Sequence, residues 1–334
     1  MKKEYLLILI IILFLSCKNK SDNIKTVELT GNFQIDSISL EIRKNPRNAK
    51  LFVERAELNF NEANLKEAIN DMSIALKLDS TNQNYLIRRA EFYLIGGNSE
   101  QSKNDLEKCL TYDRKNGEAL LKLAYIYYYV QMYQNALILL QDLETFKLHS
   151  SESYFLKGLV FEETEMDKEA IEALQKSIEY DNHNWKAYQR IALVCAGIKD
   201  KRAVDYFETA IKLFPENTEI RYNAGVIFQQ FGHYEKAANE YKFVIQKEPD
   251  IKEAHENLGI IYTNNLIDYQ RAIEEFSKTI ELDSLDHTAY YNRGYVYEKL
   301  KNYAKATENY QKCLKIHPNF DLAIQGLNEL YGKK

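Results

Sequence analysis

Proline and glycine are scarce in this chain of 334 residues, at 4 and 12. Loop-rich and all-β folds draw on both for their turns, so the scarcity argues against them and leaves helices. A surplus of one charge is missing too. Lys and Arg total 44 and Asp and Glu 49, interspersed, for a formal charge of −5. No basic surplus argues for nucleic acid, and no acidic block argues for a disordered tail. The sequence has no Gly-rich phosphate loop, no Gly-x-Ser-x-Gly turn, no HExxH and no CxxC. The six histidines, His149, His183, His233, His255, His287 and His317, show no metal-ligand spacing. Four of them (His149, His183, His287 and His317) fall at repeat junctions, where a solvated role is expected. The pairs Glu162-Glu163 and Glu274-Glu275 are adjacent on helices and do not share a face. Catalytic and metal-binding residues are therefore expected to be none, and so are cofactors.

A membrane-spanning run is also lacking. Tyr5 to Leu15 is an apolar stretch of eleven residues, whereas a span needs about 20. Lys2 and Lys3 precede it, and Ser16, Cys17 and a polar stretch follow. This order fits a secretory signal. A small residue and a cysteine closing such a run resemble the lipobox of bacterial lipoproteins, with Phe14 where the pattern usually has Leu. That resemblance implies a cut before Cys17 and a diacylglyceryl group on its thiol. Two or three acyl chains give stable anchoring. The chain is then exported and anchored by lipid. Lys18, rather than aspartate, follows the cysteine, which favours an outer membrane with the protein facing the periplasm. The polar tether to about Phe33 has roughly 16 residues and a reach of about 20–24 Å.

What the sequence does have is a repeat. Pro215 and Pro249 are 34 residues apart; Pro249 to Pro318 is 69, and Pro46 to Pro215 is 169, both near multiples of that period. Repeats starting at 49, 83, 117, 151, 185, 218, 252 and 287 carry a small eighth residue each time: Ala56, Ala90, Ala124, Gly158, Ala192, Gly225, Gly259 and Gly294. A small side chain there lets two helix backbones approach. A second small position follows at Ala68, Ser102, Ala136, Ala170, Ala203, Ala237, Ala272 and Ala306. Four residues later stands a large one: Met72, Leu106, Leu140, Leu174, Phe207, Tyr241, Phe276 and Tyr310. One helical turn separates them, so they share a face. The eleventh place is aromatic in six repeats, with Asn59 and Cys195 departing from it.

This pattern resembles the tetratricopeptide repeat family over residues 49–320, most closely at 218–251 and 287–320. The implied fold is all-α: an α-solenoid of about eight helix-turn-helix repeats with a C-terminal capping helix. Neither helix of a unit buries its apolar face alone, so neighbours stack and share a core. Gly96-Gly97, Gly232-His233-Tyr234 and Lys301-Asn302-Tyr303 read as turns between helices. The repeat at 185 is one residue short and that at 252 one long, both near that turn. The organisation expected is a signal peptide at 1–16, then lipidated cysteine, tether and a half-repeat at 17–48, the repeats at 49–320, and a cap and tail at 321–334. Asp36 to Lys44 supplies the half-repeat. Leu322, Ile324 and Leu327 are available to cover the last repeat. Cys109, Cys195 and Cys313 lie in repeats two, five and eight, too far apart for a disulfide. They are predicted to be free, buried thiols.

In this family the first helix of each hairpin lines a concave groove, through its second, fifth, sixth, ninth, twelfth and thirteenth places. The resemblance thus implies a groove built from Leu121, Lys122, Tyr125, Tyr128 and Tyr129, then Phe155 and Leu159, then Tyr222, Asn223 and Val226, and finally Tyr291, Asn292 and Tyr295. Tyrosine, at 25 copies, offers contact area and a polar tip at little entropy cost. Several of these rings could equally pack between helices. A clamp for a C-terminal carboxylate would pair lysine with Asn223, Asn257 and Asn292, but Tyr222, Glu256 and Tyr291 stand in its place. The function expected is a non-catalytic scaffold or adaptor at the bacterial envelope. Its partner is a protein or peptide in the groove, with no nucleic acid and no small-molecule cofactor. A self-associating or glycan-binding structural protein, or an accessory subunit positioning an enzyme, are the alternatives.

Overall fold

The computed structural model describes residues 30–332. The leader, Cys17 and the tether up to residue 29 lie outside the described residues. Among those described, every regular element is an α-helix, and there are eighteen. They are α1 Phe33–Lys44, α2 Ala49–Asn61, α3 Leu65–Leu78, α4 Gln83–Ile95, α5 Ser99–Tyr112 and α6 Gly117–Tyr129. Next come α7 Tyr133–Thr145, α8 Ser151–Glu163, α9 Asp167–Tyr180, α10 Trp185–Gly197, α11 Arg202–Leu213 and α12 Thr218–Gln230. The last six are α13 Tyr234–Lys247, α14 Lys252–Asn264, α15 Tyr269–Leu282, α16 His287–Lys299, α17 Tyr303–Ile316 and α18 Asp321–Gly332. Among the described residues no helix is long and apolar enough to cross a membrane. Two compact units divide the chain, the first ending at Leu123 and the second starting at Ala124. In the first, α1 to α5 pack each on the next; in the second, α8 to α18 do the same. This is the consecutive hairpin packing of an all-α solenoid.

Short polar signals fix where helices start. Asn48, Asn82, Asn116, Asn184, Asn217 and Asp286 each accept a backbone N–H at the start of a first helix. Ser150 does so through a reciprocal box with Ser153. Each such cap is worth about 1 kcal/mol. Helix α14 alone among these starts with an uncapping residue, Ile251. Each hairpin turn uses one left-handed residue, and only Gly97 and Gly232 are glycine. The others are Ala63, Gln131, Glu165, Lys199, Ile267 and Lys301, with φ between 54° and 60°. The next backbone N–H reaches back five residues in most turns, as from Asn302 to Tyr297 at 2.9 Å. That bond satisfies a carbonyl the helix leaves open, which is how so few glycines suffice.

The eight large residues, Met72 to Tyr310, are all at most 1% exposed. Burying each contributes about 1.5–3 kcal/mol. Where the eighth residue is glycine it faces this side chain rather than a bare backbone, which corrects the expected reason for its size. A Cβ on Gly158 would lie 2.5 Å from Leu174 Cγ, and one on Gly259 2.8 Å from Phe276 Cε1. The glycine is the socket for its own hairpin's large residue.

Two departures from the repeat pattern have structural reasons, and one expectation, for the cap, needs correction. Asn59 stands where six repeats have an aromatic ring. It is buried and donates to Asp71 Oδ2 at 3.3 Å, inside a staple in which Arg55 holds Asp71 at 2.7 Å and Ser39 at 2.9 Å. Arg89 repeats the arrangement with Asp105 and Ser73, and Arg293 with Asn309 and Ser277. The one-residue loss in the repeat at 185 shortens α11, which starts only one residue before Ala203 where other second helices start three before their small residue. In the cap, Leu322 is 51% and Ile324 38% exposed. Ala323, Gly326, Leu327 and Leu330 face the last repeat instead, because the helix phase puts them on one side.

Candidate partner-binding surface

Leu121 and Lys122 belong to the first unit. Leu121 is half-buried. The Lys122 ammonium is already engaged, 2.6 Å from Glu91 and 3.6 Å from Glu118. Glu91 also holds Arg88 at 2.6 Å, and Arg88 reaches Glu57 at 2.7 Å through Nε. Burial would push the Glu91 carboxyl up, but Lys122 and Arg88 win and hold it below its ordinary range. This charge ladder crosses the first helices α2, α4 and α6. It borders a cleft of about 290 Å³ lined by Val53, Tyr85, Arg88, Glu91 and Glu118 among others. Sequence reasoning passed over Glu57, Arg88, Glu91 and Glu118. The signal was there, since they occupy the ninth, sixth, ninth and second places of their helices.

In the second unit the tyrosines of α6 form a connected group. Tyr129 is 69% exposed. Its ring stands edge-on to Tyr128 at 5.4 Å and stacks with Tyr125 at 6.3 Å; Tyr133 from α7 lies 6.2 Å from Tyr128. Val130 and Met132 beside them are also exposed. Burial, then the neighbouring Glu152 carboxylate, lifts the Tyr125 hydroxyl well above its ordinary pKa. Burial and then Glu163 do the same for Tyr128. Arg190 holds Glu162 at 2.7 Å, yet burial outweighs the pairing and keeps that carboxyl raised. Phe155 and Leu159 on α8 are half-buried, and Phe155 packs against the core.

Further along, several expected surface rings double as packing. Tyr222 lies 5.8 Å from buried Tyr241, and Tyr291 stacks on buried Tyr310 at 5.7 Å. Tyr291, Asn292 and Tyr295 come together with Ile260, Thr263 and Asn264 around a cleft of about 280 Å³. Tyr222 lines a separate recess of about 370 Å³ with Thr218, Glu219, Glu248, Ile251 and Glu253. Asn223 is half-buried beside Tyr222 in sequence, and Val226 is 38% exposed.

Of the four junction histidines, His183 and His317 are exposed and His149 and His287 half-buried. His287 and His317 stack at 4.8 Å with Phe320 against both, and His149 bonds Tyr180 at 2.8 Å. Cys109, Cys195 and Cys313 are buried and free, as predicted.

Consecutive helical hairpins, four of them with a glycine socket for a large buried residue, define the class of helical repeat proteins. Three family models, each described as tetratricopeptide repeat, match residues 287–320, residues 201–241, and residues 84–116 with 151–184. This chain is a tetratricopeptide repeat protein. A TPR repeat-containing protein of Methanocaldococcus jannaschii is 25% identical over 56% of this chain and 34% of its own length. A probable UDP-N-acetylglucosamine–peptide N-acetylglucosaminyltransferase of Hordeum vulgare is 30% identical over 34% of this chain and 13% of its own length. The chain thus spans at most about a third of either relative. The C-terminal part of a TPR repeat-containing protein from Cytophaga hutchinsonii has the same fold, with a TM-score of 0.62 at 20% identity, over 72% of this chain and 99% of that one. Tetratricopeptide repeat proteins bind peptide or protein partners, and the fold here is that of an interaction scaffold.

Proposed function

We propose that this protein is a non-catalytic scaffold that binds a segment of a protein partner on the first-helix face of its second unit. The observation that carries this reading is the Tyr125, Tyr128 and Tyr129 group, connected ring to ring with Tyr129 69% exposed. Exposed aromatic side chains beside apolar Val130 and Met132 lose water at little entropy cost when a partner covers them. The leader and Cys17 support a second element of the reading. The protein is exported, and acyl chains on Cys17 hold it at the envelope, on the periplasmic face of an outer membrane.

Cross-linked affinity purification from native membranes tests the binding surface, comparing wild type with Tyr125→Ala/Tyr128→Ala/Tyr129→Ala. Capture of one abundant protein that the triple variant loses is the expected result. Equal capture by both would overturn the surface assignment. Return of only the protein itself, or of cell-wall material, would favour self-association or glycan binding instead. Labelling with radioactive palmitate tests the anchor. Label should enter the wild type and not Cys17→Ser, and an unlabelled wild type removes the anchor from the reading.

A further inference from the structure

The recess around Tyr222 has a chemistry the tyrosine group lacks. Three carboxylates, Glu219, Glu248 and Glu253, line it together with the Tyr222 ring, Ile251 and Thr218. Tyr222 and Ile251 are half-buried and packed against the core, so they supply a fixed apolar wall. All three glutamates are exposed. None has a cationic partner among the described residues. The nearby cations are committed elsewhere: Lys247 to Glu216 at 2.7 Å, Lys252 to Asp283 and Asp286 at 2.9 and 3.0 Å, and Arg221 to Glu240.

Local structure accounts for part of this charge. Glu219 and Glu253 sit in the first turns of α12 and α14, where a carboxylate complements the helix dipole. Glu248 is different. It caps the C-terminus of α13, the end where that dipole disfavours negative charge. It accepts one hydrogen bond, from the Thr218 hydroxyl. Beside the recess, Gln189 donates its amide to Glu219 at 3.2 Å, while its own Oε1 is buried and accepts no bond among the described residues. Three carboxylates without a cationic partner beside a fixed apolar wall suit a donor-rich cation on an apolar stem. A metal ion does not fit, since among the described residues no three ligands converge closely enough to hold one. The wider face agrees. The same six places along the first helices of the second unit carry seven glutamates against three cations, Lys186, Arg190 and Lys299.

We infer that the recess formed by Glu219, Glu248, Glu253, Tyr222 and Ile251 receives an arginine or lysine side chain from a basic segment of the protein partner. The aliphatic stem lies against Ile251 and the Tyr222 ring, and the charged head meets the carboxylates. This deepens the scaffold reading and rests on it. Charge complementarity of this kind sets partner choice and association rate.

The test uses the full chain purified in detergent. The probe is a fluorescein-labelled nonapeptide with arginine and alanine alternating, read by fluorescence anisotropy beside the same peptide with citrulline in place of arginine. Citrulline keeps the shape and removes the charge. The arginine peptide should bind, and the citrulline peptide about tenfold more weakly. Glu219→Gln/Glu253→Gln should lose about tenfold in affinity for the arginine peptide, with a shallower salt dependence. Glu100→Gln/Glu172→Gln, which removes the same charge from exposed sites on second helices, should change it less than about twofold. Equal losses in the two double variants, equal binding of the two peptides, or no binding at millimolar arginine peptide would each overturn the inference. A partner captured from membranes that depends on the three tyrosines but not on Glu219 and Glu253 would leave the scaffold standing and remove this subsite.

Discussion

A Cβ added to Gly225 would lie 2.8 Å from Cε1 and 3.0 Å from Cζ of Tyr241. Tyr241 is fully buried and cannot swing away. Two effects compete in Gly225→Ala. Alanine gains about 1 kcal/mol of helix propensity, while forcing a methyl into a closed core costs about 1–3 kcal/mol. The contact is with a rigid ring, so overpacking wins. A net loss of about 1–2 kcal/mol is expected by urea denaturation. Adding Tyr241→Leu should cancel the clash, leaving Gly225→Ala neutral or stabilising in that background, as the buried pairs Ala90 with Leu106 and Ala124 with Leu140 already suggest for other repeats. If alanine costs the same in both backgrounds, the socket explanation is wrong.

The staple makes a prediction about charge. Arg55 holds Asp71 through two bonds at 2.8 and 2.7 Å, with the Asp71 side chain 3% exposed and that of Arg55 22%. Asp71→Ala strands the guanidinium and should cost roughly 2–3 kcal/mol, toward the low end for a broken buried pair because Arg55 keeps some water. Asp71→Asn should cost about 1 kcal/mol or less. The eighth repeat uses that solution already, with Arg293 donating to Asn309 Oδ1 at 2.9 Å. Similar midpoints for Asp71→Ala and Asp71→Asn would show that the staple contributes packing rather than hydrogen bonding.

These relations also mark what the sequence could reveal. The small and large places were legible because they recur at fixed positions in all eight repeats, whereas their contact as socket and ring was not. The first residues of α2, α4, α6, α8, α10, α12, α14 and α16 coincide with the repeat starts for the same reason. The staple occurs in three repeats and joins residues sixteen apart, with a serine from the preceding second helix, so no single window contains it. Lys122 read as a free groove residue because its place said nothing of Glu91 on the neighbouring helix. Stacked His287 and His317 are 30 residues apart and meet only once consecutive repeats align. Leu322 and Ile324 were misread because apolar character was weighed without helix phase.

The cysteines give a pH prediction. Burial pushes the thiols of Cys109 and Cys313 up to about 11 from an ordinary 9.0. The folded state therefore keeps these protons where the unfolded chain loses them. Stability from this source is complete below about pH 9 and falls as pH rises from 9 toward 11. In a Cys17→Ser background, Ellman's reagent at pH 8 should label no thiol until the chain unfolds. A Cys109→Ala/Cys313→Ala variant should lose less stability between pH 9 and 10.5 than its parent. Prompt labelling of the native protein at pH 8 would contradict the burial, and parallel alkaline curves would assign that loss to other groups.

The cap carries the last prediction. Tyr310 is enclosed from two sides: a Cβ on Gly294 would meet it at 2.9 Å and one on Gly326 at 2.7 Å. Gly294 belongs to its own hairpin and Gly326 to α18. Ala323, Leu327 and Leu330 complete the cover over Tyr310 and Cys313, while Gln325 and Asn328 on the outer side are exposed. A stack of repeats needs such an apolar-in, polar-out end. Ending the chain at Phe320 should expose the Tyr310 ring and the Cys313 thiol together. The eighth hairpin should then exchange amide hydrogens as fast as a frayed end, with Cys313 becoming reactive while Cys109 and Cys195 stay protected. Gly326→Ala is the milder form of the same test. It should loosen the cap by about 1–2 kcal/mol and raise Cys313 reactivity without changing that of Cys195. Uniform loss of protection across all repeats would mean that the second unit opens as one cooperative body rather than from its end.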